Sequence, residues 1–138
     1  MRIKLGDLTY WLNKKNQTAT VCKCVKHRKP FSVKIPEEIK DKGNIYPVIA
    51  IEYEAFKECI NLKSITLSDS VTKIGDFAFF GCNNLESITI PDSVTDIGWR
   101  AFHWCNNLTE IRIPGTEKAF PLWVSLMESE YADLVRQV

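Results

Sequence analysis

The stretch VTKIGDFAFFGCNNLESITIPDS, residues 71–93, is followed without a gap by the near-copy VTDIGWRAFHWCNNLTEIRIPGT, residues 94–116. A more diverged copy, VIAIEYEAFKECINLKSITLSDS, residues 48–70, precedes both of them. All three copies are 23 residues long and align without insertions. A fixed period of this length indicates that each copy is one structural unit, stacked on its neighbours.

The aligned copies share columns that are always apolar or small, whereas the positions between these columns vary. Such columns predict a buried stripe that continues from one copy to the next. The columns are Val48, Val71 and Val94; Ile51, Ile74 and Ile97; Ala55, Ala78 and Ala101; Phe56, Phe79 and Phe102; Cys59, Cys82 and Cys105; Leu62, Leu85 and Leu108; Ile65, Ile88 and Ile111; and Leu67, Ile90 and Ile113.

Within one copy the pattern fits short strands and turns better than a helix. The run of residues 85–90 ends in alternation, which is typical of a half-buried strand. Pro91 then ends the strand, because proline offers no N–H group to a ladder. Residues 71–74 could form a second short extended piece, and Gly75 and Gly98 follow such pieces at natural places for a bend.

One such unit cannot bury its apolar face alone, so stability requires about three stacked units. A period between 20 and 29 residues is typical of leucine-rich repeats. We therefore predict a leucine-rich-repeat solenoid, a right-handed, β-rich superhelix with short strands in each 23-residue coil. With only three clear coils, the fold depends on its two ends.

The string I-G-x-x-A-F-x-x-C-x-x-L-x-x-I-x-I-P-x-S-V resembles the BspA-like, or Treponema-type, leucine-rich repeats. Residues 71–116 carry the motif almost without departure, and residues 48–70 carry it with Glu52 in place of glycine and Ser68 in place of proline. The resemblance implies a bacterial or protist protein, mostly surface-located or secreted, that serves adhesion and protein binding. It brings no catalytic residues with it.

The single domain, residues 1–138, is predicted to begin with a hairpin over residues 7–25. A β-prone run and an alternating run flank the polar turn of residues 13–17. The hairpin would cap the first coil and cover an exposed sheet edge, and the resemblance implies such a cap as well. Residues 31–47 are interpreted as a degenerate first coil followed by an insertion.

After Thr116 the period fails, and residues 117–138 are predicted to form an amphipathic helix that covers the last coil. Pro121 suits the first turn of a helix. A cap is the simpler interpretation of this helix, and a partner-binding helix is the alternative. Its apolar face would consist of Trp123, Leu126, Met127, Tyr131, Leu134, Val135 and Val138.

The net charge of +1 hides an asymmetry between the two parts of the chain. Residues 1–47 carry 11 Lys and Arg against 4 Asp and Glu, whereas residues 48–138 carry 7 against 13. The halves could pair head to tail or steer an acidic partner, and a solvated surface is the plainer interpretation. The basic residues lack the interleaved aromatics typical of nucleic-acid binding.

No stretch is long and apolar enough to span a membrane, and residues 1–13 do not form a signal peptide. The resemblance favours a cell-surface or secreted location. The visible start of the chain does not support that location.

Five cysteines are present, and three of them occupy one buried column. Equivalent positions on neighbouring coils lie about 4.8 Å apart with parallel side chains, which is unfavourable for disulfides. Reduced thiols that fill space like small hydrophobes are expected instead. Cys22, Cys24 and His27 could ligate a metal, but a structural zinc site normally needs a fourth ligand. We predict no metal and no other cofactor.

No phosphate-binding loop and no protease or hydrolase motif is present. His103 could serve Cys105 as a base, but the repeat pattern buries Cys105 and places no histidine beside Cys59 or Cys82. We predict that the chain is not an enzyme. It is predicted to be a protein-binding or adhesion module with an unidentified protein ligand. A self-assembling protein that associates through its ends is the alternative, and a Cys/His metal protein is a more remote one.

The candidate binding residues occupy variable slots of the repeat. Large aromatics cluster around the Ala-Phe columns of the second and third copies, and contiguous aromatics with an arginine have the composition of a binding hot spot. The alternative is that Trp123 and Tyr131 of the C-terminal segment cover them. Charged residues of the predicted strands complete the set, which is Phe77, Phe80, Trp99, Arg100, His103, Trp104, Lys34, Glu110 and Arg112.

Overall fold

The computed structural model of the 138-residue chain describes residues 1–119, 122, 126 and 130–138, with Lys118 described by its backbone alone. The chain begins with an antiparallel meander of β1 (Arg2–Leu5), β2 (Leu8–Asn13) and β3 (Thr18–Cys24). Alternate β2 residues Leu8, Tyr10 and Leu12 are buried, as expected for a strand with one face on a core. The hairpin expected over residues 7–25 corresponds to β2 and β3.

A first sheet continues from this meander through parallel strands of successive coils. It comprises β6 (Asn44–Ile51), β8 (Lys73–Ile74) and β10 (Asp96–Ile97), in the order β3, β6, β8, β10. The insertion before the first full repeat forms β5 (Glu38–Asp41), which pairs antiparallel with the start of β6. The insertion is therefore a second hairpin on the edge of the coil.

A second sheet stacks the other strand of each coil, in the order β4 (Phe31–Lys34), β7 (Leu62–Thr66), β9 (Ser87–Thr89) and β11 (Glu110–Ile113). All of these pairs are parallel, and Thr66 lies opposite Thr89 and Thr89 opposite Arg112, 23 residues apart in the sequence. Strand β4 lies beside β7 in parallel, in the position of a coil strand.

A third ladder joins the turns that carry the Ala-Phe columns. The Phe56 N–H donates to the Ala78 carbonyl at 2.7 Å, and the Phe79 N–H donates to the Ala101 carbonyl at 2.8 Å. Inside these turns the rings of Phe56, Phe79 and Phe102 stack in a column at 5.1 and 5.5 Å. All the predicted columns are buried except for Ile97, which is partly buried against the core.

The repeated glycines Gly75 and Gly98 have a different reason from the predicted bend. A Cβ atom on Gly75 would lie 2.7 Å from the Tyr53 nitrogen and 2.9 Å from the Glu52 carbonyl carbon. A Cβ on Gly98 would meet the backbone of Gly75 and Asp76 in the same way. Glycine is therefore required because successive coils approach closely at this position.

The thiols of Cys59, Cys82 and Cys105 are free and buried, as the repeat column predicts. Two of them also donate hydrogen bonds, which a small hydrophobe cannot do. The Cys82 thiol donates to the Phe56 carbonyl at 3.1 Å, and the Cys105 thiol donates to the Phe79 carbonyl at 3.0 Å. The neighbouring Cys105 thiol, together with burial, raises the pKa of Cys82 well above its usual range.

The C-terminal segment departs from the predicted helix. Residues 120, 121, 123–125 and 127–129, and with them Trp123 and Met127, lie outside the described residues. Leu122 and Leu126 are buried. The helix prediction is wrong from residue 132 onward, because Ala132–Leu134 is a 3-10 helix and Val135–Gln137 is strand β12, parallel to β11. A strand here satisfies the open edge of β11, which a helix could not do.

The hydroxyl of Tyr131 completes this end of the fold. It accepts a hydrogen bond from the Phe102 N–H at 3.2 Å, where the two earlier coils use a carbonyl of the next coil. The Tyr131 ring also packs edge-on against Phe102 at 5.6 Å. One side chain thus replaces a coil both as hydrogen-bond acceptor and as packing partner.

Candidate protein-binding surface

The turns that carry the Ala-Phe columns contain two columns of residues in the left-handed backbone region. The first is Glu54, Phe77 and Arg100, with φ of 56°, 54° and 51°, and the second is Glu58, Gly81 and Trp104, with φ of 57°, 72° and 60°. The conformation costs a non-glycine residue about 1 kcal/mol. In the first two coils this left-handed conformation allows the N–H groups of both columns to donate to backbone carbonyls of the next coil, at 2.6 to 3.1 Å.

Three aromatic rings form a ridge across all three coils. Phe77 lies between Tyr53, at 6.1 Å, and Trp99, at 5.3 Å, and both contacts are edge-to-face. This is the favoured geometry of aromatic pairs. The outer two rings remain largely open to solvent, with Tyr53 58% and Trp99 62% exposed. The ridge is therefore ordered by its own contacts while it presents apolar surface.

Trp99 is held from two further directions. The Arg100 guanidinium carbon lies 4.4 Å from the centre of the Trp99 ring, a cation–π contact. The Trp99 backbone N–H donates to the Asp76 carboxylate at 2.8 Å. Asp76 occupies the same repeat slot one coil earlier, so the carboxylate fixes the backbone under the exposed ring.

A second aromatic group lies on the other side of the turn. Phe80 contacts His103 at 5.7 Å and Trp104 at 4.9 Å, and the His103 and Trp104 rings stack at 5.4 Å. Phe77 and Phe80 are 5.6 Å apart, so this group is continuous with the ridge. We call the whole set the aromatic surface, and it consists of Tyr53, Phe77, Phe80, Trp99, Arg100, His103 and Trp104.

A charged pair borders the aromatic surface at the first coil. The Lys57 ammonium lies 2.8 Å from the Glu54 carboxylate and 5.8 Å from the centre of the Phe80 ring. This hydrogen bond lowers the pKa of the Glu54 carboxyl and raises the pKa of the Lys57 ammonium. Both groups therefore stay charged over the whole neutral range.

The described residues do not cover the tryptophans of this surface. Trp99 and Trp104 are each 62% exposed, whereas Phe77 and Phe80 are partly buried. Tyr131, expected to help cover them, packs on Phe102 instead. Trp123, the other expected cover, lies outside the described residues. A groove of about 410 Å³ separates Trp99 from the C-terminal segment at Leu126 and Tyr131.

The three charged candidates lie elsewhere. Lys34 is on β4, whereas Glu110 and Arg112 are on β11, with β7 and β9 between them. At about 4.8 Å per strand, Lys34 is roughly 14 Å from the other two. Glu110 and Arg112 pair with each other at 2.7 Å. The structure therefore places these residues on the polar face of the second sheet and apart from the aromatic surface.

The predicted set omits Tyr53, which belongs to the aromatic surface, and Lys57, which borders it. Each occupies a variable slot that holds Trp99 or Phe80 in another coil. Comparing the three aligned copies therefore identifies both positions as candidates. The first copy by itself gives little indication, because Tyr53 is one aromatic among charged residues.

Neither the metal site of Cys22, Cys24 and His27 nor the catalytic pair of His103 and Cys105 is assembled in the described part of the chain. Cys24 is buried, whereas Cys22 is the residue left unpaired by an irregularity in the β2–β3 register and lies partly exposed. His27 Nε2 lies 3.0 Å from the Asp7 carboxylate. Among the described residues no group of three or more His, Cys, Asp or Glu is arranged to hold a metal. The Cys105 thiol donates to a backbone carbonyl, and His103 stacks on Trp104.

Comparison with known proteins agrees with this architecture. Residues 32–122 match the model of the BspA type leucine-rich repeat region, in six copies. No curated protein sequence matches the chain significantly.

Solved structures with similar folds include leucine-rich-repeat proteins of Bacteroides and Faecalibacterium. A leucine-rich-repeat protein of Bacteroides ovatus is 35% identical, with a TM-score of 0.72, over 80% of this chain and 31% of its own. A leucine-rich cell surface protein of Faecalibacterium prausnitzii is 31% identical, with a TM-score of 0.69, over 82% and 33%. A leucine-rich-repeat protein of Bacteroides capillosus is 25% identical, with a TM-score of 0.61, over 83% and 99%. The chain thus spans about a third of the length of the first two.

Proposed function

The chain belongs to the BspA-type leucine-rich-repeat family, and on this premise we propose that it is an adhesion module that binds a protein partner through its aromatic surface. Proteins of this family are generally non-enzymatic binding modules. We propose that the binding face lies at the turns between the two sheets.

The observation that carries the proposal is the exposed Trp99 stacked against Arg100. Tryptophan and arginine are the side chains most enriched in interface hot spots, and large contiguous apolar patches on a soluble chain mark interaction sites. Phe77 and Asp76 hold Trp99 in place from below. A partner would therefore meet side chains that are already ordered, which reduces the entropy lost on binding.

The proposed setting is a cell surface or the extracellular space. The similar Faecalibacterium protein is described as a cell surface protein. Within the part of the chain that the structure describes, no helix is long and apolar enough to cross a membrane. The proposed fold remains a right-handed solenoid, which the parallel stacking of the coils supports. A helical cap is proposed only for the segment around Leu122 and Leu126.

Self-association through the ends of the solenoid is the second candidate. It is supported by the basic first 47 residues and the acidic remainder. The edge strands of the second sheet oppose self-association. Strand β4 ends in Lys34, and strand β12 carries Arg136 at the same register position. Stacking β12 on β4 of another copy would place like charges side by side, which is destabilising.

The experiment compares Trp99→Ala with the matched control Trp11→Ala, another exposed tryptophan located on the β2 strand. Wild-type chain and both variants are tested by biolayer interferometry against a panel of purified extracellular proteins. Trp99→Ala should weaken binding about 30-fold, the equivalent of a 2 kcal/mol hot spot, while Trp11→Ala binds as wild type. Both variants should melt within about 1 kcal/mol of wild type.

Equal binding by all three chains would refute the location of the site. Light scattering of the chain at low and high salt tests the second candidate. A mass above that of the monomer at low salt, falling as salt rises, would assign the charged ends to self-association.

A further inference from the structure

A second groove runs along the side of the turns away from Trp99. Its volume is about 440 Å³, within the range of small-molecule sites. Phe80 and Ile60 form its apolar wall together with Trp104, and Asn83 and Asn106 lie on its rim. The groove crosses all three coils, so it is elongated along the stack.

Trp104 occupies a backbone position that suits glycine, not tryptophan. Its φ is 60°, and the equivalent residue of the preceding coil is Gly81. A bulky residue in this region is an outlier. In the first two coils the equivalent N–H groups donate to the next coil, but among the described residues nothing accepts from the Trp104 N–H. With 62% of its surface exposed, its side chain also gains little from burial.

Neither a hydrogen bond nor burial offsets the backbone strain at Trp104. Such uncompensated strain points to a functional role for its side chain. Phe80 and His103 fix the Trp104 ring from the protein side. The ring therefore forms one flat wall of the groove in a set orientation.

The rim of the groove supplies polar groups that the fold leaves unused. The neighbouring amides of Asn84 and Asn107 are engaged between coils, with Asn61 at 3.3 Å and the Asn83 carbonyl at 2.6 Å. The side-chain amides of Asn83 and Asn106 have no hydrogen-bond partner in the described part of the chain. They occupy the same slot of adjacent coils, about 4.8 Å apart. Planar amides so placed can each donate and accept.

We propose that this groove binds a neutral oligosaccharide, with a sugar ring stacked on Trp104 and its hydroxyl groups bonded to Asn83 and Asn106. A pyranose has an apolar face of C–H groups and a polar rim of hydroxyls. A flat indole bordered by carboxamides matches both. The Lys26–Glu58 ion pair closes one end, with no net charge, at 3.5 Å.

A polyproline peptide is the competing occupant, since aromatic-lined grooves also bind such helices. To bind alternate prolines of such a peptide, the groove would need parallel aromatic ridges. Here the rings of Phe80 and Trp104 are inclined to each other by 43°, and only Trp104 stands exposed. One flat wall with a polar rim favours a sugar. This site does not depend on the proposed protein-binding role of Trp99.

The test follows the indole N–H signals of the ¹⁵N-labelled full chain by NMR. The probes are maltotriose, cellotriose and triacetylchitotriose at about 10 mM, enough to nearly saturate a millimolar site, and a decaproline peptide. At least one trisaccharide should shift the Trp104 signal in a saturable manner and leave the Trp11 signal unchanged.

Trp104→Gly removes the ring and also relaxes the backbone, so it should fold at least as well as wild type and lose binding more than ten-fold. Binding by this variant is followed by the Gly81 backbone amide signal, because the indole signal is absent. Trp104→Phe should retain part of the affinity, and Asn83→Ala with Asn106→Ala should lose most of it. Trp99→Ala should bind sugar as wild type, because Trp99 does not line this groove, although Phe80 and Trp104 belong to both the groove and the aromatic surface. No shift of the Trp104 signal with any sugar, or a shift with decaproline alone, would overturn the proposal.

Discussion

Substituting Gly75 by alanine tests the close approach of successive coils. The added Cβ would lie 2.7 Å from the Tyr53 nitrogen, whereas such contacts have their optimum near 3.5 Å. The coils would have to separate locally by about 0.8 Å. Backbone atoms oppose the new methyl group, so no side-chain rotation can relieve the contact.

The magnitude follows from the bonds that hold the two coils at this point. The Gly75 N–H donates to the Ile51 carbonyl and the Thr72 N–H to the Ile49 carbonyl, both at 2.8 Å. A separation of this size would stretch both bonds to about 3.6 Å, beyond hydrogen-bonding distance. Two bonds at about 1 kcal/mol each, with some loss of packing, give a destabilisation of about 2–4 kcal/mol.

Urea denaturation followed by circular dichroism measures this difference. The control is Gly43→Ala, because Gly43 has a φ of 81° but nothing within 4 Å of an added Cβ. That variant should lose only about 1 kcal/mol, from backbone strain alone. If Gly75→Ala lost no more than Gly43→Ala, the coils would accommodate the added methyl group and the steric explanation would be wrong.

Two further predictions concern buried tyrosines. Tyr131→Phe removes the acceptor of the buried Phe102 N–H and should destabilise the chain by about 1–3 kcal/mol, measured by the same denaturation; a change below about 0.5 kcal/mol would show that the hydroxyl does not support the last coil. Burial raises the pKa of Tyr10 from 10.0 to about 12, so its contribution to stability is complete below pH 10 and is lost as the pH rises through 12. Tyr10→Phe should therefore flatten the decline of stability between pH 10 and 12, and an unchanged slope would contradict this assignment.

The interior of the fold could be predicted from the sequence because the same constraint is repeated in each copy. A position such as Phe56, Phe79 and Phe102 appears as a column, and the stacked rings fill that column. The ends could not be predicted equally well, since each occurs once. Leu134 and Val135 fit a helical face and a strand equally, and only the open edge of β11 selects the strand.

The candidate surface was predictable in composition but not in geometry. Variable slots identified Phe77 and Trp99, because neighbouring coils place corresponding turns side by side. The separation of Lys34 from the aromatic surface depends on which side of the coil each slot faces, and the alignment alone does not specify this. The left-handed conformation of Trp104 was also hidden, since Glu58 and Gly81 in the same column show no shared preference.

The hydrogen bonds between coils run in opposite directions on two sides of the stack. On the first sheet a later coil donates to an earlier one, as from Thr95 to Thr72, whereas at the turns the earlier coil donates to the later, as from Phe79 to Ala101. Every internal coil therefore presents complementary sets of donors and acceptors to its two neighbours. An extra 23-residue copy inserted between residues 93 and 94 would find both of its contacts already in place. Chain length is thus an adjustable property of this fold, and each added copy would widen the binding face by one row of variable side chains, about 4.8 Å.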